Sequence, residues 1–319
     1  MMIQLLLAVA TLGCVESHPV PGEAPSLLPA GRSFRLVWND EFNGDRLDDT
    51  KWMYRTHYWG RRAAWFAGPE DEGAVIVKDG LLRLPLVKRP DGQFVSASLQ
   101  TGNRLWDEPF AETDGRPSKW LWGKRAAPKF MHRYGYYECR FRLQRMPGWW
   151  SAFWMQSPAN GATLDPSVSG IEHDIMESFV PGEIMPHFFH YNGYVKGEYR
   201  WFTTPRMAAP GRRADGTSAT NRVDVSVFHT VGLLWERDGY TVFLDGVQRG
   251  EKVGTGVGLS HPEAVSQADE FILLTTEAFH YKKTGRPDPR LDEAVKAGDD
   301  FRVDYVRVFD QVEQGGSCR

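Results

Sequence analysis

Apolar and polar residues alternate over many short stretches of the chain, and almost no stretch repeats its apolar residues at helical spacing. Alternation with a period of two is typical of strands that have one face buried. The clearest predicted strands are residues 74–77, 81–86, 134–143, 151–156, 171–179, 187–191, 230–236, 240–244, 271–276 and 301–309. A helix is predicted only around residues 291–297. The pattern therefore predicts an all-β sandwich.

Turn signals separate these predicted strands. Asp-Gly pairs, which favour tight hairpins, occur at Asp79-Gly80, Asp238-Gly239 and Asp245-Gly246. Residues 104–130 and 202–224 are long, rich in Pro, Arg and Gly, and predicted to be loops. Loops of that length in a compact domain are commonly functional, so we expect these two to form cleft walls.

The composition narrows the function classes. The chain has 319 residues, of which 41% are hydrophobic, enough for one large β domain. A net charge of −3 provides no electrostatic footprint for nucleic acid. Aromatic residues reach 13%, with 12 Trp. Flat aromatic rings suit both the apolar faces of sugars and an aromatic core, and composition leaves both open.

The first 14 residues form an apolar run of signal-peptide length that is too short to span a bilayer. No Lys or Arg precedes the run, and no later stretch is typical of a transmembrane segment. We expect export, with residues 1–18 as a signal peptide, and lipid attachment at Cys14 is an open alternative. Residues 19–32, rich in Pro and Gly, are predicted to be a linker. The folded domain is expected over 33–311, with 312–319 as a tail.

The chain contains only three cysteines, Cys14, Cys139 and Cys318, so it is not a disulfide scaffold. Cys139 lies in an alternating strand and is predicted to be a small buried hydrophobe. A bridge between Cys139 and Cys318 stays open.

Three carboxylates lie within residues 172–177, on one predicted strand. Like charges this close oppose each other's ionisation, so clustering is unfavourable unless different proton affinities are useful. A retaining glycosidase needs such a split, because one carboxylate attacks while a neighbouring acid protonates the leaving oxygen. The alternative is an exposed acidic strand without chemistry, which the apolar residues of this segment argue against.

Strand geometry adds a condition to this interpretation. Side chains alternate between faces, so Glu172 and Asp174 share a face while Glu177 should point away. One inserted residue restores the shared face, and β-bulges insert one residue, commonly beside active sites. We therefore predict a bulge near Ile175-Met176.

The six residues resemble the E-x-D-x-x-E signature of glycoside hydrolase family 16, in its laminarinase- and agarase-like branch. Four other stretches resemble the same family in the same order, at residues 36–42, 134–140, 147–154 and 304–308. The resemblance spans residues 34 to 310, nearly the whole mature chain. It implies a concanavalin A-like jelly roll of two curved antiparallel sheets, with an open groove for a polysaccharide on the concave face.

The resemblance also implies roles for the three acidic residues. Glu172 corresponds to the nucleophile and Glu177 to the general acid/base, while Asp174 helps to separate their proton affinities. With the bulge in place, the two glutamate carboxyls are expected about 5–5.5 Å apart. His173, on the opposite face, is expected to be packed inside the sandwich.

Several residues are expected to bind substrate. The family places a Trp from residues 147–154 against the sugar beside the cleaved bond; Trp150 and Trp154 alternate on one face, and Trp149 is expected at the groove rim. His190 is expected beside the catalytic strand. The loop-like tryptophans are Trp59, Trp65, Trp120 and Trp122, and at least two are expected to line outer sugar subsites, with Trp65 among our choices. Glu277 is a candidate for a sugar hydroxyl or for solvated surface.

Catalysis is expected to need no cofactor. The resemblance implies a structural calcium ion on the convex face, bound by Glu41 and Asp304. His187 and His190 do not suggest zinc, because their spacing fits a helix rather than a strand.

The expected function is that of an exported, monomeric, retaining endo-β-glycosidase acting on a β-1,3-glucan or a marine galactan, with glucan slightly favoured. The basic residues Arg104, Arg116, Lys119, Lys124 and Arg125 keep a sulfated galactan open. A transglycosylase and a non-catalytic carbohydrate-binding module are the alternatives.

Overall fold

The computed structural model describes residues 16–18, 20–55, 65–102, 127–160, 170–185, 188–191, 200–203, 221–254, 265–279 and 286–312. Its strands are β1 (Glu16–His18), β2 (Ser26–Leu28), β3 (Ser33–Asp40), β4 (Met53–Tyr54), β5 (Ile76–Lys78), β6 (Leu81–Pro85), β7 (Val87–Lys88), β8 (Phe94–Val95), β9 (Ser98–Gln100), β10 (Gly135–Arg142), β11 (Trp149–Gln156), β12 (Glu172–Ser178), β13 (Glu183–Ile184), β14 (Phe188–Tyr191), β15 (Arg200–Thr203), β16 (Asn221–Arg222), β17 (His229–Glu236), β18 (Gly239–Leu244), β19 (Val247–Gly254), β20 (Phe271–Ala278) and β21 (Asp300–Val312). A short helix, α1 (Leu291–Lys296), lies at the predicted position.

Two antiparallel sheets contain most of these strands. The eight-stranded sheet has the order β19-β18-β17-β10-β21-β6-β5, and β3 pairs with the other part of the long strand β21. The seven-stranded sheet has the order β15-β14-β12-β11-β20-β9-β4 and contains the acidic strand β12. The prediction of an all-β sandwich is confirmed.

The main core lies between the two sheets. Phe153 and Ile272 of the seven-stranded sheet belong to one buried cluster with Leu233 and Val306 of the eight-stranded sheet. Because side chains alternate along a strand, the other residues of β11 and β20 occupy the opposite face of the seven-stranded sheet. We call that face, which bears Glu172, the carboxylate face.

The predicted hairpins are present. Asp79-Gly80 and Asp245-Gly246 each have two consecutive positive φ angles, between 52° and 73°, as tight hairpin turns require. At the third site Glu236 pairs with Gly239, so Gly239 already belongs to β18 and the turn lies one residue earlier than predicted.

The linker prediction is wrong for residues 24–28, which pack on the eight-stranded sheet. Leu28 is buried, and the Leu27 N–H donates to a carboxylate oxygen of Glu138 at 2.7 Å. Arg307 donates to the carbonyl of Ala24 at 2.8 Å. Composition misled here because the groups that bind this segment lie far away in the sequence.

Cys139 is fully buried, as predicted, and it is not in a disulfide. Cys14 and Cys318, with the rest of residues 1–15 and 313–319, lie outside the described residues, as do 103–126 and 204–220 of the two long loops. No helix in the described part of the chain is long and apolar enough to span a bilayer.

Candidate active site

The register between β11 and β12 contains the predicted bulge. Trp154 of β11 pairs with Asp174, whereas the adjacent Phe153 pairs with Met176. Ile175 is therefore the extra residue on β12, and the prediction of a bulge near Ile175-Met176 is confirmed.

The bulge brings three carboxylates to one face. On β12, Glu172 lies opposite Gln156, Asp174 opposite Trp154 and Glu177 opposite Ala152. Directly opposed residues of an antiparallel pair share a face. Ala152 and Trp154 belong to a cluster separate from the main core, while the bulged Ile175 and Met176 belong to the main core. The regular alternation that would have separated Glu177 from the other two is thus interrupted.

The proton affinity of Glu177 differs from that of an ordinary glutamate. Its side chain is half-buried, and desolvation raises the pKa of Glu177 well above its usual value. Neighbouring carboxylates raise this pKa further, in the decreasing order Asp174, Glu172 and Glu277. A carboxyl that keeps its proton near neutral pH is what a general acid requires.

Glu172 is held by a neighbour on β11. The Gln156 Nε2 donates to Glu172 Oε2 at 2.9 Å, so an amide fixes the orientation of the expected nucleophile. Sequence reasoning missed Gln156, although it continues the alternation of Trp150, Ala152 and Trp154. Extending the alternation by two residues would have found it.

Two of the expected substrate-binding tryptophans lie on the carboxylate face. Trp150, opposite Glu277, is half-buried and stacks on Phe279 with ring centroids 4.9 Å apart. Trp154 is only 2% exposed, and its Nε1 donates to Thr275 Oγ1 at 3.2 Å. Trp154 therefore exposes almost no ring surface, whereas the half-buried Trp150 exposes more of its ring.

The expectation that Trp149 lies at the groove rim is wrong. Trp149 is fully buried and belongs to the main core cluster. Since it precedes Trp150 directly on β11, alternation turns its side chain to the other face of the sheet.

Trp65 lies on the β9 side of the seven-stranded sheet. Its carbonyl accepts a hydrogen bond from the Ser96 N–H at 3.3 Å, and its side chain is half-buried. At the same side of the sheet, the Arg55 backbone N–H donates to the Ser98 carbonyl at 2.7 Å. The Arg55 guanidinium lies 5.9 Å from the centroid of the Trp154 ring, which places a cation on the carboxylate face.

His190 is the register partner of Glu172, because β14 pairs with β12 on the side away from β11. The strand position agrees with the expectation, and the side chain lies outside what the structure describes. Other candidates fall outside the described residues altogether, namely Trp59, Trp120, Trp122, His187, Arg104, Arg116, Lys119, Lys124 and Arg125.

Glu41 and Asp304, the expected calcium ligands, each face an arginine. Both Glu41 carboxylate oxygens accept from Arg307, at 2.9 and 2.7 Å, and Asp304 is paired with Arg140. Their charges are already compensated, so the pair does not fit a shared cation. No group of three or more metal-ligating side chains occurs within the described residues, and the calcium site stays a prediction without geometric support.

Comparison with known proteins relates this arrangement to carbohydrate-active enzymes. Residues 116–253 match the model of Glycosyl hydrolases family 16. Glucan endo-1,3-beta-glucosidase A1 of Niallia circulans is 25% identical over 298 residues, which cover 88% of this chain and 38% of that protein. Beta-porphyranase B of Phocaeicola plebeius is 25% identical over 331 residues, covering 96% of this chain and 94% of that protein. This chain thus spans well under half the length of the first relative.

Solved structures share the fold. SCLam, a non-specific endo-beta-1,3(4)-glucanase, superimposes with a TM-score of 0.58 at 20% identity, covering 93% of this chain and 95% of that one. The catalytic domain of a laminarinase from Thermotoga petrophila gives a TM-score of 0.56 at 20% identity, covering 88% and 100%. At these identities the likeness concerns the fold alone, and it supports the expected jelly roll.

Proposed function

We propose that this chain is a retaining endo-β-glycosidase of glycoside hydrolase family 16, a proposal that its motif, its sequence match and its fold support. One observation carries the proposal: the bulge at Ile175 presents Glu172, Asp174 and Glu177 on one face. Without the bulge, the two glutamates would lie on opposite faces and could not act on one glycosidic bond.

The chemistry is a double displacement. Glu172 attacks the anomeric carbon while Glu177 donates its proton to the departing glycosidic oxygen, so the glycosidic C–O bond breaks and a glycosyl ester forms. Glu177, now ionised, then takes a proton from water, whose oxygen attacks the anomeric carbon and releases Glu172. Asp174 supports the first step, because its charge raises the pKa of Glu177.

The proposed substrate class lies among β-glucans and marine galactans, which the similarity to an endo-1,3-beta-glucosidase and to a beta-porphyranase supports. The Arg55 guanidinium lies beside Trp154 on the carboxylate face, but Arg55 is only 5% exposed, so it does not favour a sulfated galactan over a neutral glucan. A laminarin-type glucan is the first candidate, and a sulfated galactan is the second.

Digestion of defined polysaccharides tests the function. The purified protein is incubated with laminarin, lichenan, agarose, porphyran and carrageenan, and the products are sized and their new reducing ends counted. We expect internal cleavage of at least one of them, with the β-anomer appearing first by NMR. Rearranged chains would indicate a transglycosylase, and retention on the polysaccharide without cleavage would indicate a binding module; either result overturns the proposal. An α-anomer formed first would refute retention.

Export is part of this proposal, because such polysaccharides are found outside the cell and the chain begins with an apolar run of signal-peptide length. Mass spectrometry of the protein from membrane and culture fractions tests it. A lipid-modified residue at Cys14 would indicate anchoring, an unmodified start after residue 18 would indicate secretion, and an intact Met1 would contradict export.

A further inference from the structure

A fully buried hydrogen-bonded pair, His173 and Glu270, lies directly behind the catalytic strand. The His173 Nδ1 is 2.6 Å from Glu270 Oε2, and neither side chain is exposed to solvent. His173 stands between Glu172 and Asp174 in the sequence, and its side chain occupies the opposite face of the sheet. None of the catalytic steps uses this pair.

Glu270 holds the catalytic strand at a second point. Its Oε1 accepts the Ile171 N–H at 3.3 Å, next to the end of β11 at Gln156. The backbone of Glu270 is itself bonded in both directions to His132, at 2.9 and 3.0 Å. The carboxylate therefore has a fixed position, from which it binds two residues on the core side of the strand.

The His173 ring has no room to move. Its centroid lies 5.4 Å from that of Phe189, 5.2 Å from that of Trp235 and 4.6 Å from that of Tyr240. These rings come from both sheets, since β14 belongs to the seven-stranded sheet and β17 and β18 to the other. The histidine thus ties the catalytic strand to the rest of the core.

Stability alone explains such a pair poorly. Removing two polar groups from water is costly, and apolar replacements of both members of a buried polar pair are often neutral or stabilising. What buried polar groups can supply is specificity, as when a single polar residue fixes the register of packed helices.

A bulged strand needs register specificity because a regular ladder competes with the bulge. In that regular ladder, residues 172–174 would be shifted by one position relative to residues 176–178. A one-residue slip turns every side chain to the other face, so Glu172 or Asp174 would enter the core beside Glu270. Two carboxylates would then face each other in the core, whereas His173 forms a hydrogen bond with Glu270.

We propose that His173 and Glu270 are positioning residues that lock the register of the catalytic strand and thereby keep the bulge at Ile175. The catalytic part of this inference rests on the proposed function; the register part does not. In the bulged register the buried Glu270 has a hydrogen-bond partner in His173, whereas in the slipped register it would meet a second carboxylate.

Two variants test the lock. Glu270→Gln keeps the size and one acceptor but removes the charge that excludes a slipped carboxylate, and the amide could even donate to it. The double variant His173→Leu/Glu270→Leu replaces the pair with apolar side chains. The readouts are hydrogen exchange of the amides of residues 171–178, and kcat and KM on the glycan that the native protein cleaves.

We expect the amides of β12 to exchange about 10-fold faster or more in both variants. We also expect kcat to fall by about 10- to 100-fold with KM within about twofold, because misplacement of about 1 Å costs this much in rate. Native exchange of β12 together with native kcat, in either variant when folded, would overturn the proposal.

The buried Glu138 of the eight-stranded sheet, which accepts the Leu27 N–H, is the matched control. Glu138→Gln should leave hydrogen exchange in β12 and kcat unchanged. An equal effect from this control would also overturn the proposal, by showing a response to any altered buried carboxylate. If the native protein cleaves no glycan, the proposed function fails, and hydrogen exchange still decides the register question.

Discussion

Glu177 on the carboxylate face and Glu138 on the eight-stranded sheet are both glutamates with a raised pKa, but for different reasons. Burial raises the pKa of Glu138 to about 7, while donors and the Arg307 charge act in the opposite direction. For Glu177, desolvation raises the pKa and the neighbouring carboxylates reinforce it. The surroundings of Glu138 compensate its charge, whereas the surroundings of Glu177 resist it.

The same contrast extends to other acidic residues of the eight-stranded sheet. Asp300, also buried, accepts from Arg302 at 2.7 Å and is paired with Arg83, and Glu41 is bonded twice to Arg307. Carboxylates there are matched with cations. On the carboxylate face Asp174, Glu172 and Glu277 raise the pKa of Glu177, and a carboxyl perturbed by such neighbours is typical of functional sites.

The largest expected effect is a difference in activity between variants of the carboxylate face and a variant of Glu138. Glu172→Gln and Glu177→Gln should each lower kcat by about 10³-fold or more, since they remove the proposed nucleophile and the proposed proton donor. Glu138→Gln, the matched control, should keep native kcat. Initial rates on a cleaved polysaccharide, with circular dichroism to confirm folding, check this. Comparable losses in all three variants, or none in the first two, would contradict the assignment.

Trp149 and Trp150 are adjacent but lie on opposite faces, and replacing each with Ala should produce different losses. Trp149→Ala opens a cavity in the main core and should lower the free energy of unfolding by about 3–5 kcal/mol. Trp150→Ala should destabilise less but raise KM about 10-fold, because the ring is available for stacking. Urea unfolding and steady-state kinetics measure the two effects. Equal losses of stability and equal rises in KM in the two variants would contradict the assignment of the two side chains to opposite faces.

Much of the fold and the acidic trio could be predicted locally. Alternation indicated the strands, and the number of residues between Glu172 and Glu177 required a bulge if both were to act together. The Asp-Gly pairs indicated the hairpins, because the conformation of a tight turn depends on the two residues that form it.

The predictions that failed depended on distant partners or on the phase of an alternation. The linker prediction failed because the Leu27 N–H binds Glu138, 111 residues away. The expectation that His173 is packed inside the sandwich is confirmed, but local composition does not contain its partner Glu270, 97 residues away. The expectation for Trp149 was wrong because alternation does not itself say which of two adjacent tryptophans faces the core.

The pH dependence of stability should identify Glu138. Because its pKa is about 7 when folded and near its ordinary value of 4.5 when unfolded, the native state holds an extra proton between these values. The contribution of Glu138 to the stability of the folded state is therefore complete below pH 4.5 and is lost as the pH rises through 7. The difference amounts to about 3 kcal/mol, and Glu138→Gln should abolish it. Urea unfolding of both proteins at pH 5 and pH 9 compares them, and parallel pH profiles would refute the role of Glu138.

The smallest expected effect concerns Glu277, whose charge raises the pKa of Glu177 less than Asp174 or Glu172 does. Glu177 must be protonated to act as the acid, so activity falls as the pH rises through its pKa. Glu277→Gln removes a like charge, lowers the pKa of Glu177, and should move the alkaline limb of the kcat/KM profile to lower pH. Asp174→Asn should move the limb further in the same direction, and Glu138→Gln should not move it. A shift to higher pH in Glu277→Gln, or an equal shift in the Glu138 control, would mean that the clustered carboxylates do not set the proton affinity of Glu177.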